Sequence, residues 1–235
     1  MHMKLILIFL LMMNPLYGQT YRAELRKGDE IVATKIKTIE KQSNGSVHIH
    51  VRTFDKENSE ISHYRIVAHG FHIESMHSHN KEFNKKISLI KKEKKYEVQR
   101  GDHDVSHVDY RSDMSSFLLM EQFVQAHWGK FLGNKSQKIR FIDVRDSSIM
   151  TMTLDTVEIK SMNGRQILVI SAVPDNFIMK MAVRALGFDP QFFFDATTKS
   201  LIRTKGPLIG LPGVDPLAKG IPDMGTTVWQ PYNAK

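Results

Sequence analysis

Nine histidines fall between His48 and His107, and they include His48-x-His50, His77-x-His79 and His103-x-x-x-His107. Alternate residues of a strand face the same side, so an H-x-H pair can present two imidazoles to one metal ion. Asp102, Asp104 and Asp109 lie near the last pair as further ligands. Nothing in the spacing brings the pairs together, and imidazoles on half-exposed strands are ordinarily solvated. The expectation is therefore no metal and no cofactor. His77, His79, His103 and His107 are the candidate ligands under the alternative of a His-rich metal binder or metal-dependent envelope enzyme.

Nucleophilic chemistry has less to work with. The chain contains no cysteine, which removes thiol catalysis, thiolate metal sites, disulfides and a lipid-modified N-terminal cysteine. It has no G-x-S-x-G elbow, H-E-x-x-H, S-x-x-K or P-loop pattern. Ser112, Ser115 and Ser116 stand where a helix needs a cap, and Asp143, Asp146 and Asp155 suit turns and strand ends. No catalytic residue is assigned, and the chain reads as a binder rather than an enzyme.

The N-terminus indicates the compartment. A lysine at position 4 precedes nine apolar residues, Leu5 to Met13, and Asn14-Pro15 then breaks the run. This is the layout of a signal peptide, residues 1–18, with cleavage expected after Gly18; the apolar run is too short to span a bilayer, which takes about 20 residues. The expected location is the periplasm or the secreted fraction, with no transmembrane segment left after cleavage. A formal charge of +8 outside the cytoplasm points to an anionic envelope surface as a partner, and not to nucleic acid. The lysines are scattered, and "KKISLIKKEKK" (Lys85 to Lys95) reads as a strand with a solvated face.

The elements that would position a site follow from periodicity. From Tyr21 to Tyr110 the pattern has period two, as in "SVHIHVRTF", where Val47, Ile49 and Val51 oppose His48, His50 and Arg52. Asn44-Gly45 and Asn163-Gly164 predict tight hairpins with primed turns. The spacing of Phe117, Met120, Val124, Trp128 and Phe131 predicts a helix over 115–131. Asp175, Gly187 and Pro190 bracket a second helix over 176–186, apolar except for Lys180 and Arg184. Five glycines and four prolines within residues 206–225 exclude regular structure there. Its leucines and valine make it an ordered strap, which is assigned to 206–235 of a single domain covering 19–235.

The later strands do not alternate: Ile167 to Val173 and Phe192-Phe193-Phe194 are almost continuously apolar. Both faces must then be covered. Two helices are too few to do this for some ten strands in an α/β sheet. The fold class is therefore mainly β (α+β): a strongly curved antiparallel sheet or half-barrel with two helices, a helix layer lying outside it or across its mouth, and apolar side chains lining its concave side. In that arrangement Phe193 faces packed core while Phe192 and Phe194 line a ligand hollow. Phe177, Met179 and Met181 of the second helix would then form its lid.

The signal peptide, the opening meander, the mid-chain helix and the hairpin "FFFDATTKSLIR" together resemble the periplasmic lipoprotein-carrier superfamily, the LolA/LolB-like half-barrels, over most of residues 20–205. The hairpin looks like the D-x-x-T-x-x-L-x-R pattern of such sheets. The resemblance implies a concave apolar face that shelters a hydrophobic or amphiphilic small molecule such as a lipid acyl chain. The Gly/Pro strap and the His-rich meander depart from that family. A third reading is an envelope structural or interaction protein with a filled core.

Overall fold

The computed structural model describes residues 18–176, 180–181, 190–207, 211–217 and 224–232. Eight strands come first in the chain: β1 Gln19–Lys27, β2 Glu30–Lys41, β3 Ser46–Phe54, β4 Glu60–His69, β5 His72–Asn80, β6 Lys85–Lys92, β7 Lys95–Arg100 and β8 Asp104–Asp109. After the helical segment come β10 Gln137–Asp143, β11 Ser148–Met162, β12 Arg165–Pro174, β13 Gln191–Asp195, β14 Leu201–Pro207 and β15 Met224–Pro231, with the two-residue β9, Met114–Ser115, ahead of it. All belong to one 15-stranded sheet ordered β8-β7-β6-β5-β4-β3-β2-β1-β15-β14-β13-β12-β11-β10-β9. Neighbours are antiparallel except β9, which lies parallel to β10. The fold is thus mainly β, a strongly curved sheet whose ladder does not close.

Curvature has a local cause. Register shifts at Leu25/Arg26, Thr53/Phe54, Val67/Ala68, Thr156/Glu158 and Phe193/Phe194 insert bulges. Each bulge sharpens the bend and twist of its strand. The bent sheet brings its free edges together. Arg100 of β7 donates from Nε to the Val144 carbonyl at 2.6 Å and from its terminal nitrogens to Asp104, Ser106 and Ser147. Ser106 of β8 lies 2.5 Å from Ser147 of the β10–β11 turn. Ser115 of β9 donates to the Phe71 carbonyl in the β4–β5 turn at 2.7 Å. A side-chain latch, not a backbone ladder, spans the seam.

The helical segment lies against the inner face. It is a 3-10 turn, Phe117–Leu119, then α1 Met120–Ala126 and α2 Trp128–Leu132. Ser116 caps the turn by accepting from the Leu118 N–H. The expected single helix is interrupted at His127, whose φ of −109° leaves the helical region and whose ring Nδ1 lies 2.9 Å from the Phe123 carbonyl. Two apolar clusters fill the interior. One is built on β1–β8 around Ile49, Ile66, Leu89 and Tyr96, with Met114, Leu119 and Ile142 from the far side. The other packs Phe123, Val124, Trp128 and Phe131 against Phe141, Leu154, Leu168, Ile170, Phe192 and Phe194. Trp229 touches both.

Two expectations need correction. Residues 224–231 do not belong to the strap: they form β15, which pairs with β1 and β14 and joins the two halves of the sheet. Thr226, Thr227, Val228 and Trp229 are strand formers, and hydrogen bonding on both sides outweighs the Gly/Pro background that precedes them. The two Asn-Gly turns also differ. Asn163 and Gly164 both have positive φ, 50° and 75°, as a primed two-residue hairpin requires. At the β2–β3 connection only Gly45 is positive, at 81°. Gln42 and Gly45 close a longer loop, with Gly45 N–H donating to the Gln42 carbonyl at 3.0 Å. The predicted helix over 176–186 lies mostly outside the described residues; Lys180 and Met181 are helical.

Candidate polar site inside the barrel

Pairing in the sheet sets one row of side chains on the inner face. Trp229 stands opposite Ala23, Ala23 opposite Lys35, Lys35 opposite Thr53, Thr53 opposite Ser62, and Ser62 opposite Asn80. Directly opposed residues share a face, so these six lie side by side across β15, β1, β2, β3, β4 and β5. Lys35, Thr53, Ser62 and Asn80 are all buried. The Asn80 carboxamide oxygen accepts from the Phe83 N–H at 2.9 Å, which ties that end of the row to the β5–β6 turn. Thr53 Oγ1, Ser62 Oγ and Trp229 Nε1 have no hydrogen-bond partner in the protein. A buried polar group without a partner costs about 1–3 kcal/mol, so two hydroxyls and an indole N–H in one row ask for an explanation.

The neighbouring row contains the one ion pair with both partners buried among the described residues. Lys37 Nζ lies 2.6 Å from Glu121 Oε2, and the other carboxylate oxygen of Glu121 accepts from the Leu201 N–H at 3.0 Å. The Lys37 ammonium also stands 5.0 Å from the Tyr21 ring centroid and 4.6 Å from that of Trp229. Charge, hydrogen bonds and ring faces together compensate the desolvation of this lysine. Burial and, to a lesser degree, the Glu121 charge push the Tyr21 phenol up, against a lowering contact with Ser200. Tyr64, opposite Val51 in the same row, is raised by burial alone.

Lys35 differs in its electrostatics. Removal from water pushes its ammonium down to about 8, because burial in a low dielectric disfavours the charged form. A buried ammonium, two hydroxyls and an indole N–H thus share the inner face with the Lys37–Glu121 pair.

The strap packs beside this row. Leu211 packs on Leu25 and Ala33, and Ala33 is two residues before Lys35 on the same face of β2. Gly213 donates its N–H to both carboxylate oxygens of Glu82, at 3.0 and 2.9 Å, in the β5–β6 turn. Gly213 has a φ of 73°, a left-handed conformation that favours glycine.

The residues singled out from sequence are distributed as follows. Phe192 and Phe194 point to the inner face and pack beneath the helical segment, Phe194 meeting Trp128 edge-on at 6.3 Å. Phe193 points outward into a small cluster with Ile167, Val169, Met162 and Ile202, under Arg203 and Lys160. Met181 is half exposed; Phe177 and Met179 lie outside the described residues. Asp195, which begins the D-x-x-T pattern, is a turn residue: its carboxylate accepts from the N–H groups of Thr197 and Thr198 at 2.9 Å each, and these hold it below the usual carboxylate range.

His77 and His103 are exposed, His79 packs edge-on against His63 at 5.6 Å, and His107 Nε2 is 3.9 Å from Glu97. Among the described residues no three of His, Asp and Glu converge as metal ligands.

Sequence reasoning missed Lys35, Lys37, Glu121, Thr53 and Ser62. In "EIVATKIKTIEK" the lysines alternate with Thr and Ile, and such alternation ordinarily assigns lysine to water. The available signal was the mid-helix Glu121, an acid on a helix whose other core positions are apolar.

No family model and no curated protein sequence matches the chain. Among solved structures, the chain is similar to a β-barrel-like protein of domain of unknown function DUF1849 from Brucella abortus. The two are 10% identical, and the match covers 92% of this chain and 97% of that chain at a TM-score of 0.49. No helix among the described residues is long and apolar enough to cross a membrane.

Proposed function

We propose that this protein is an exported carrier that holds a lipid-like amphiphile inside its curved sheet. The observation that carries this reading is the row of buried, partnerless hydroxyls set into an apolar interior. A core built only for stability would replace Thr53 and Ser62 by apolar residues, since an unmade buried hydrogen bond costs more than its absence. The strap supports the same reading: its Leu211 packs on Leu25 and Ala33, the pair next to Ala23 and Lys35, and its Gly213 N–H bonds the Glu82 carboxylate. The resemblance to lipoprotein carriers extends the reading to acyl chains, and the N-terminal segment to the periplasm or secreted fraction.

Native mass spectrometry of protein from the exported fraction tests the proposal. The expected result is a bound species of amphiphile mass that organic solvent releases. Protein that carries no lipid and binds no apolar fluorescent reporter would defeat it.

A filled-core interaction protein is the second reading. It is favoured by the dense packing of Phe192 and Phe194 under Trp128 and Phe123, and reporter binding decides between the two.

A further inference from the structure

We propose that the outer face of β1–β7 docks a linear acidic polysaccharide, whose carboxylate or sulfate groups lie along a band of cations. The band consists of two neighbouring ranks of paired residues. One runs Arg22, Ile36, Arg52, His63, His79, Lys86 across β1 to β6, and the other Thr38, His50, Arg65, His77, Ser88, Gln99 across β2 to β7. Directly opposed residues share a face. Arg52 and Arg65 alternate along their strands with the buried Val51, Thr53 and Ile66, so both ranks point away from the core. Arg22, Arg52, Arg65, His77 and Lys86 are exposed.

At a strand spacing of about 4.8 Å the first rank is about 24 Å long, and the two ranks lie about 7 Å apart. Neither rank contains an Asp or Glu. The acids of this face stand outside it: Glu40 and Glu97 beyond the second rank, Glu24 and Glu60 beyond the first. Glu24 is held by Arg26 at 2.6 Å, and Glu60 by Lys81 at 2.9 Å and His63 at 3.3 Å. Among the described residues no carboxylate pairs with Arg22, Arg52, Arg65 or Lys86. Arg52 and Arg65 are diagonal neighbours on adjacent strands, about 7–8 Å apart at the backbone. Their like charges repel, and an anion bound between them relieves that repulsion.

The shape of the band selects the partner. A flat anionic bilayer would press Glu24, Glu40 and Glu97 against its headgroups, and within the two ranks only Ile36 is apolar. Single-stranded nucleic acid binds through rings on which its bases stack, and neither rank contains Phe, Tyr or Trp. A narrow polyanion meets the cations without the flanking acids. Thr38, Ser88, Gln99 and the imidazoles then supply hydrogen bonds for sugar hydroxyls. This surface lies outside the sheet and does not depend on a ligand within it.

The test measures binding of a fluorescent heparin decasaccharide, which carries carboxylates and sulfates, to the mature protein at neutral pH and low salt, where exposed charges are least screened. Arg52→Gln with Arg65→Gln should weaken binding about tenfold, the scale of two exposed charge pairs. Lys92→Gln with Lys94→Gln, which removes the same charge from the exposed β6–β7 hairpin, should leave binding nearly unchanged. Arg22→Gln with Lys86→Gln, at the ends of the first rank, should also weaken it severalfold, and keeps the test decisive if the central pair of changes disturbs folding.

Equal losses from the hairpin lysines and the arginines would show attraction by net charge alone and overturn the band. Tighter, arginine-dependent binding to phosphatidylglycerol vesicles or to oligothymidylate than to the decasaccharide would overturn the assignment of partner. Failure of the parent protein to bind the decasaccharide at low salt would overturn the proposal outright.

Discussion

Lys37 and Glu121, 84 residues apart in the chain, meet at 2.6 Å between a strand and the helix that lies against it. The pair docks the helical segment onto the far half of the sheet. Removing one partner leaves the other buried without its counter-charge, which costs about 3–5 kcal/mol. Glu121→Ala is expected to lose that much in urea unfolding, and the Lys37→Met/Glu121→Leu double variant less than the sum of the single changes. Strict additivity would show that the two groups do not act as a unit.

The stability of the protein should rise with pH where Lys35 titrates. Its folded value is about 8 against 10.5 when unfolded, so between those values the unfolded chain binds more protons and deprotonation favours the folded state. The cost of burying the charge is present in full below pH 8 and is relieved as pH climbs toward 10.5. Its size is about 3 kcal/mol. Unfolding midpoints of the ligand-free protein at pH 7 and pH 9.5, in the parent and in Lys35→Met, should diverge at the lower pH and converge at the higher. Parallel profiles would rule out a depressed lysine.

Loosening the strap should affect exchange more than stability. Glu82→Ala removes an exposed clip and should cost under about 1 kcal/mol. On the carrier reading it should also accelerate reporter dissociation severalfold in stopped-flow fluorescence. An unchanged dissociation rate would indicate that ligand passes elsewhere.

The three phenylalanines should separate by face. Phe194→Ala opens a cavity beneath Trp128 and should cost about 3–5 kcal/mol. Phe193→Ala removes a ring from a small outer cluster capped by Arg203 and Lys160 and should cost less. Thermal or urea melts giving the reverse order would mean that the outer cluster is the more tightly packed.

Export makes a prediction of its own. The mature chain should begin at Gln19, the first residue of β1, and an intact mass that retains Met1 in the exported fraction would contradict it.

The meander was legible because its turn residues and period two agree along most of β1–β8, and the late apolar strands announced that both their faces were covered. The polar row was not legible, for a physical reason. Lys35, Thr53 and Ser62 look like ordinary residues of half-solvated strands, and only pairing between strands, set by turns and bulges, brings them together on the inner side. Strand β15 was hidden for the opposite reason: its threonines and Trp229 are good strand formers, but they follow a Gly/Pro segment that suppresses the signal. The phenylalanines drew attention through their density, whereas the buried polar groups of the row are sparse and scattered over several strands.

The latch formed by Arg100, Ser106 and Ser147 bears on capacity. In a fully hydrogen-bonded barrel, strand number and stagger fix the diameter, so cargo of one girth fits and larger cargo does not. Here the circumference is interrupted at one line, crossed by side chains that can exchange their bonds for water. Parting that line sacrifices no rung of the ladder. On the carrier reading, the container is then sized by its contents, accepting tails of different bulk while each strand keeps its neighbours.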